Sequence, residues 1–120
     1  MAVSIVKSLD HPDERRQAGG SGHIELVTLA GVTVGRATFE PGWRWSEQVK
    51  ALARTELCQA THTGYVVSGR EMVRMADGSE FELGPGDAFA IGAGHDAWVL
   101  GEEPCVTIDF TGLEDFARLS

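Results

Sequence analysis

Residues 56–69 read Glu-Leu-Cys-Gln-Ala-Thr-His-Thr-Gly-Tyr-Val-Val-Ser-Gly. The second half, Gly64 to Gly69, is a short aromatic and β-branched run closed by a glycine, which is strand chemistry followed by a turn. The first half carries a carboxylate, a thiol and an imidazole at Glu56, Cys58 and His62, all of one parity. Residues two apart on an extended chain point to one face, so an extended segment here predicts all three on one side of a sheet. The same rhythm repeats outward in both directions. Strands are predicted at 24–29, 33–39, 56–59, 64–68, 72–75, 80–83, 88–91, 97–100 and 106–110, separated by Gly and Asp-Gly punctuation. Asp77-Gly78 is the strongest hairpin signal, because that pair accepts the positive backbone angles of a tight turn. Gly69-Arg70 predicts a second turn of that kind, and Gly84-Pro85-Gly86 a sharper break. Helical periodicity is nearly absent, apart from one or two turns at Leu113 to Leu119. Short strands at this spacing form a sandwich or a barrel, since an open antiparallel sheet would leave long edges exposed.

The totals bound what such a domain can do. A chain of 120 residues builds one core. Residues 1–23, polar and turn-rich with Gly19-Gly20-Ser21-Gly22 at their end, read as an N-terminal arm with room for a short strand at Val3 to Val6. Residues 24–112 read as the β domain and 113–120 as a short tail. Eighteen acidic against ten basic residues give a formal charge of -8, which disfavours phosphate backbones and anionic lipid surfaces. Neither nucleic acid nor a membrane is an expected partner. No stretch approaches the roughly 18 apolar residues of a spanning helix, and the first residues lack the basic-then-apolar layout of a signal peptide. A cytoplasmic location is expected. Two cysteines, Cys58 and Cys105, do not make a disulfide scaffold, and a bridge between them is not expected in a reduced compartment.

A carboxylate, a thiol and an imidazole converging on one cavity are transition-metal ligands. Cysteine with histidine favours zinc, with iron or copper as alternatives. Taken singly, Cys58 is as well explained as a small core hydrophobe and His62 as a hydrogen-bonding residue. The pairing is what points to a site.

In register, the segment resembles the first conserved motif of the cupin family, H-x-H, three or four residues, E, six residues, G. Counting back from Gly69 places His62 at the glutamate, Cys58 at the second histidine and Glu56 at the first, so the spacing is kept while residue types are exchanged. The second cupin motif, G, five residues, P-x-G, two residues, H, is followed by Gly86, Asp87 to Ile91, Gly92, Ala93 and Gly94. Gly92 stands at the proline and Ala97 at the histidine that normally supplies the last metal ligand. His95 shares the parity of Ala97 and replaces that ligand if the loop after Gly94 turns it inward; otherwise His95, beside Asp96, is a surface or turn residue. Together with Trp98, these residues look like a subgroup of small bacterial cupins. The resemblance implies an all-β, cupin-type double-stranded β-helix (a jelly-roll barrel) with a pocket for a divalent metal, a small molecule, or both. It implies no particular reaction, because cupins include enzymes, sensors and metal-free binders. A metal-free sensory module and a metal-dependent isomerase or dioxygenase are the alternatives.

The remaining signals admit two readings each. Trp43, Trp45 and Trp98 either wall a ligand pocket or close the core and an interface. Tyr65 and Val67 point away from His62, towards an outer face that in cupins packs against a second subunit, and a homodimer is expected. Cys105, Thr107 and Asp109 alternate with Val106, Ile108 and Phe110, and parity does not say which set enters the barrel.

Overall fold

The computed structural model describes residues 4–114. Val3 and residues 115–120 lie outside them, and with these go one end of the strand expected at Val3 to Val6 and most of the helical turn expected at Leu113 to Leu119. Ser4 to Val6 are not in a strand. In chain order the elements are β1 (Glu14–Gln17), β2 (Gly22–Leu29), β3 (Val32–Phe39), α1 (Trp45–Gln48), α2 (Lys50–Ala53), β4 (His62–Ser68), β5 (Arg70–Met75), β6 (Glu80–Leu83), β7 (Ala88–Ile91), β8 (His95–Leu100) and β9 (Cys105–Thr111). β1 falls within the segment expected to be an arm and pairs as an edge strand with β2.

The strands form two antiparallel sheets, a six-stranded one ordered β1-β2-β3-β9-β4-β7 and a three-stranded one ordered β6-β5-β8. The core lies between them, drawing Ile24, Ala37, Val66 and Cys105 from the large sheet and Val73, Leu83, Ala97 and Val99 from the small one. This is a jelly roll, as expected: two sheets bury one face each and leave the other to solvent. Among the described residues no helix is long and apolar enough to cross a membrane.

Three local expectations are corrected. Asp77-Gly78 does close the β5–β6 hairpin, with Gly78 at φ 88°, but Gly69 closes none. The neighbours of β4 are β9 and β7, and those of β5 are β6 and β8, so Gly69 is where the chain leaves one sheet for the other. Its φ of 77°, and a position where a Cβ would collide with the Pro104 carbonyl, both require glycine. Residues 56–59 are not a strand. After α2 the chain reverses at Arg54, a left-handed residue at φ 59°, and only Cys58 meets a sheet. A single bridge joins it to His95, with Cys58 N–H donating to the His95 carbonyl at 2.7 Å and Gly94 N–H to the Cys58 carbonyl at 2.7 Å. Finally, α1 and α2 form where no helix was expected, because four residues are too few to display a helical period.

In β9, the open parity question is resolved. Cys105, Thr107 and Asp109 are buried, while Val106, Ile108 and Phe110 face outward.

Candidate functional site

Three structural devices bring Cys58, His62 and His95 together. His62 opens β4, His95 opens β8, and the bridge at Cys58 fastens the loop after α2 to the start of β8. All three are buried. His95 needs no inward bend of the loop: it is already in strand register with Ala97 and Val99, whose side chains enter the core. The potential ligand atoms of the three residues lie within 4.8 Å of one another. Cys58 Sγ is 3.8 Å from His62 Nε2, and the two imidazole centroids are 5.4 Å apart at an interplanar angle of 68°.

Each imidazole is held through its other nitrogen. His62 Nδ1 lies 3.2 Å from Asp109 Oδ2, and Thr107 Oγ1 donates to Asp109 Oδ1 at 3.0 Å. His95 Nδ1 donates to the Gly92 carbonyl at 2.8 Å, which leaves Nε2 for the centre. This carboxylate-or-carbonyl to histidine arrangement orients ligating imidazoles and raises their basicity. Zinc bound to thiolate and imidazole at about 2.3 and 2.0 Å would place sulfur and nitrogen roughly 3.5 Å apart. The Cys58–His62 separation of 3.8 Å is close to that edge, so the three residues form a possible metal-binding cluster.

The electrostatics favour charged donors. Burial pushes the Cys58 thiol up, but hydrogen bonds and positive charge from His62 and His95 outweigh it and bring it down to about 6. Burial lowers His62, whereas Asp109 and Cys58 together raise it to about 9. At neutral pH without an ion, Cys58 and His62 are a thiolate and an imidazolium.

Both histidines line a cavity between the sheets of about 440 Å³, open mouth included. Phe39, Trp43, Trp45, Phe89 and Ile91 form apolar wall, and Glu71, Thr107 and Asp109 supply polar groups. Trp43 stacks on Phe39, with centroids 4.0 Å apart, and its Nε1 donates to the Ala18 carbonyl at 2.8 Å. Glu71 is a residue the sequence reading missed. It accepts a hydrogen bond from the Cys105 thiol at 3.7 Å, and burial followed by the neighbouring Asp109 charge raises it to about 7. The signal was present: Glu71 has the parity of Val73, which is wholly buried. A lone glutamate in Arg-Glu-Met-Val-Arg-Met nonetheless reads as solvated. Burial is also the main reason the Cys105 thiol is raised.

Two expected site residues are elsewhere. Glu56 is exposed and its carboxylate pairs with Lys50 Nζ at 2.6 Å, because residues 56–58 are not extended and parity does not carry across them. Trp98 is on the opposite face of β8, beneath the Arg44 guanidinium at 4.3 Å, and is absent from the cavity wall. Trp43 and Trp45 do line the cavity. Ala97 lines it as well, at the position of the last cupin ligand, and offers no donor. Asp96 is a buried anchor, accepting from Ser46 N–H (3.0 Å), Ser46 Oγ (2.9 Å), Arg44 Nε (3.0 Å) and its neighbour Ala97 N–H (2.9 Å). Cys58 and Cys105 are both free.

No family model and no curated protein matches the sequence. Solved structures do match. KdgF from Halomonas sp. superposes with a TM-score of 0.62 at 20% identity, over 90% of this chain and 91% of that one. A protein of unknown function from Acidithiobacillus ferrooxidans gives 0.59 at 22%, over 81% and 85%. A sugar phosphate isomerase of the cupin superfamily from Silicibacter pomeroyi gives 0.59 at 20%, over 85% and 71%. With two antiparallel sheets enclosing a single barrel core, the chain has the fold of a small single-domain cupin.

Proposed function

We propose that this chain is a metal-binding cupin in which Cys58, His62 and His95 hold a divalent ion, zinc in preference to iron or copper, beside a cavity that takes a small molecule. The observation that carries this reading is the convergence of three buried ligand atoms within 4.8 Å, with both imidazoles fixed through their other nitrogen. A bound ion would act as a Lewis acid towards an oxygen of the cavity's occupant. The protein's own contribution is to orient the imidazoles, keep Cys58 deprotonated and wall the site with apolar side chains.

The test is metal analysis of protein purified without an affinity tag, compared with the Cys58→Ala, His62→Ala double variant. The expected result is close to one zinc per chain in the wild type and a loss of at least ten-fold in the variant. Equal, negligible metal in both overturns the reading.

A metal-free binding module is the second reading, favoured by the pairing of Cys58 with His62, in which each balances the other's charge without an ion. It predicts ligand binding that persists in chelator. An iron dioxygenase has less support, since such sites take histidines with a carboxylate, and Glu56 is on the surface. Sugar phosphate isomerisation is not carried over either, because among the described residues no lysine or arginine lines the cavity to meet a phosphate.

The same reading includes a homodimer through the outer face of the large sheet, where Tyr65, Val67 and Phe110 are exposed. A cytoplasmic location is supported by two free, buried thiols. A charge of -8 argues against nucleic acid and anionic membranes as partners.

A further inference from the structure

Of the two carboxyl groups in the cavity wall, Asp109 has both oxygens engaged, Oδ1 by the Thr107 hydroxyl at 3.0 Å and Oδ2 by His62 Nδ1 at 3.2 Å. Glu71 does not. Its Oε2 accepts from the Cys105 thiol at 3.7 Å, a weak donor, and its Oε1 makes no hydrogen bond among the described residues. Oε1 is also reachable. Among the described residues of the interior, Trp45 Nε1 is the only side-chain nitrogen or oxygen both fully buried and unpartnered, so Oε1 keeps accessible surface. That surface belongs to the cavity. Glu71 is 7% exposed, lines the cavity, and shares the inner face of β5 with the wholly buried Val73, between Leu83 of β6 and Val99 of β8.

The charges nearby leave no surplus for an anion beside Glu71. With a divalent ion at the centre, the Cys58 thiolate and the Asp109 carboxylate balance its two charges; without one, the His62 imidazolium stands against both. His95 spends its Nδ1 hydrogen on the Gly92 carbonyl. The nature of the carboxyl group then narrows the choice further. Burial and the Asp109 charge hold Glu71 at about 7, so both of its forms are present near neutrality. The carboxylate only accepts, whereas the acid, with its Oε2 taking the thiol hydrogen, presents an O–H at Oε1. A hydroxyl group serves both forms, giving its hydrogen to the carboxylate or a lone pair to the acid. A carbonyl oxygen serves only the acid, and an ammonium group only the carboxylate. Phe39, Trp43, Phe89, Leu83 and Ile91 surround the rest of the space with apolar surface, which suits a hydrocarbon body.

We propose that the cavity selects an uncharged alcohol with an apolar body, whose hydroxyl group pairs with Glu71 Oε1. This deepens, and rests on, the reading of the cavity as a small-molecule pocket.

The test titrates three probes of similar shape, cyclohexanol, fluorocyclohexane and cyclohexylammonium, into the full chain at pH 7. Binding is followed by ¹³C NMR of the side-chain carboxyl groups, with the Glu71 signal identified by its loss in Glu71→Gln. The expected result is a saturable shift of that signal with cyclohexanol and none with fluorocyclohexane. Glu71→Leu should weaken cyclohexanol about five-fold, the worth of one hydrogen bond, without weakening fluorocyclohexane, and Glu71→Gln, which keeps a donor and an acceptor, should retain most of the affinity. If cyclohexanol and fluorocyclohexane bind equally, or if Glu71→Leu leaves the preference for cyclohexanol intact, the alcohol proposal is overturned while the pocket stands. Tighter binding of cyclohexylammonium than of cyclohexanol overturns it in favour of a cation. If no probe binds, the pocket reading falls and the proposal with it. Should Glu71→Leu not fold, the contrast between probes at the wild-type Glu71 signal still decides the matter.

Discussion

At the residue scale, the centre is governed by two neighbours that charge each other. His62 has a folded-state pKa raised to about 9, so the stability it adds is complete below about 6.5 and is lost as pH rises through 9. Cys58 is lowered to about 6, so its contribution is complete above about 9 and is lost as pH falls through 6. Between these limits the slopes are opposite and cancel. Glu71, raised to about 7, adds a slope only below that value. In chelator, the urea-unfolding free energy of the wild type should therefore be nearly level from pH 7 to 9. Cys58→Ser leaves His62 with Asp109 alone and should lose about 1–2 kcal/mol over that range. Identical profiles for the two proteins would rule out the thiolate–imidazolium pair. Cys58 and His62 were both visible in the sequence as candidates, because their type and spacing carry chemistry without a fold. Asp109 was left open, because strand parity gives two faces and does not say which is buried, and Glu71 was passed over although it shares the parity of the buried Val73.

At the element scale, the cavity wall depends on a short segment with little helical stability of its own. α1 and α2 are four residues each, far below the length at which a helix persists unaided. Asp96 on β8 supplies the missing support, through its bonds to Arg44 and Ser46. Asp96→Ala should lower unfolding free energy by about 2–4 kcal/mol, as expected for removing a buried carboxylate from several donors at once. It should also raise amide hydrogen exchange across residues 44–53, while Asp96→Asn recovers part of the loss. Unchanged exchange in that segment would show that the anchor is not what holds it. The hairpin at Asp77-Gly78 was legible because a two-residue turn is encoded locally. The crossover at Gly69 was misread for the same reason: the residue signals a positive backbone angle, and the angle serves a sheet change as well as a hairpin.

At the scale of the whole molecule, the large sheet keeps an outer face on which Tyr65 neighbours Ile108 and Phe110. Tyr65→Lys with Val67→Lys should convert a sedimenting dimer to a monomer while circular dichroism stays unchanged; a wild type that sediments as a monomer at micromolar concentration removes the dimer. By itself the sequence determined an all-β sandwich or barrel, eight of the strands to within about two residues, and the candidacy of Cys58 and His62, while the cupin resemblance added the jelly roll and the candidacy of His95. What the sequence determined follows from side-chain period, turn chemistry and ligand type, all of which act over a few neighbouring residues. Only the tertiary structure decided that Glu56 leaves the centre, that Trp98 faces away from the cavity, and that Asp109 and Glu71 enter it. The physical reason is that parity holds only along an unbroken strand, and the chain turns between α2 and β4. Which face of a strand is buried is likewise set by the partner sheet, whose residues lie tens of positions away.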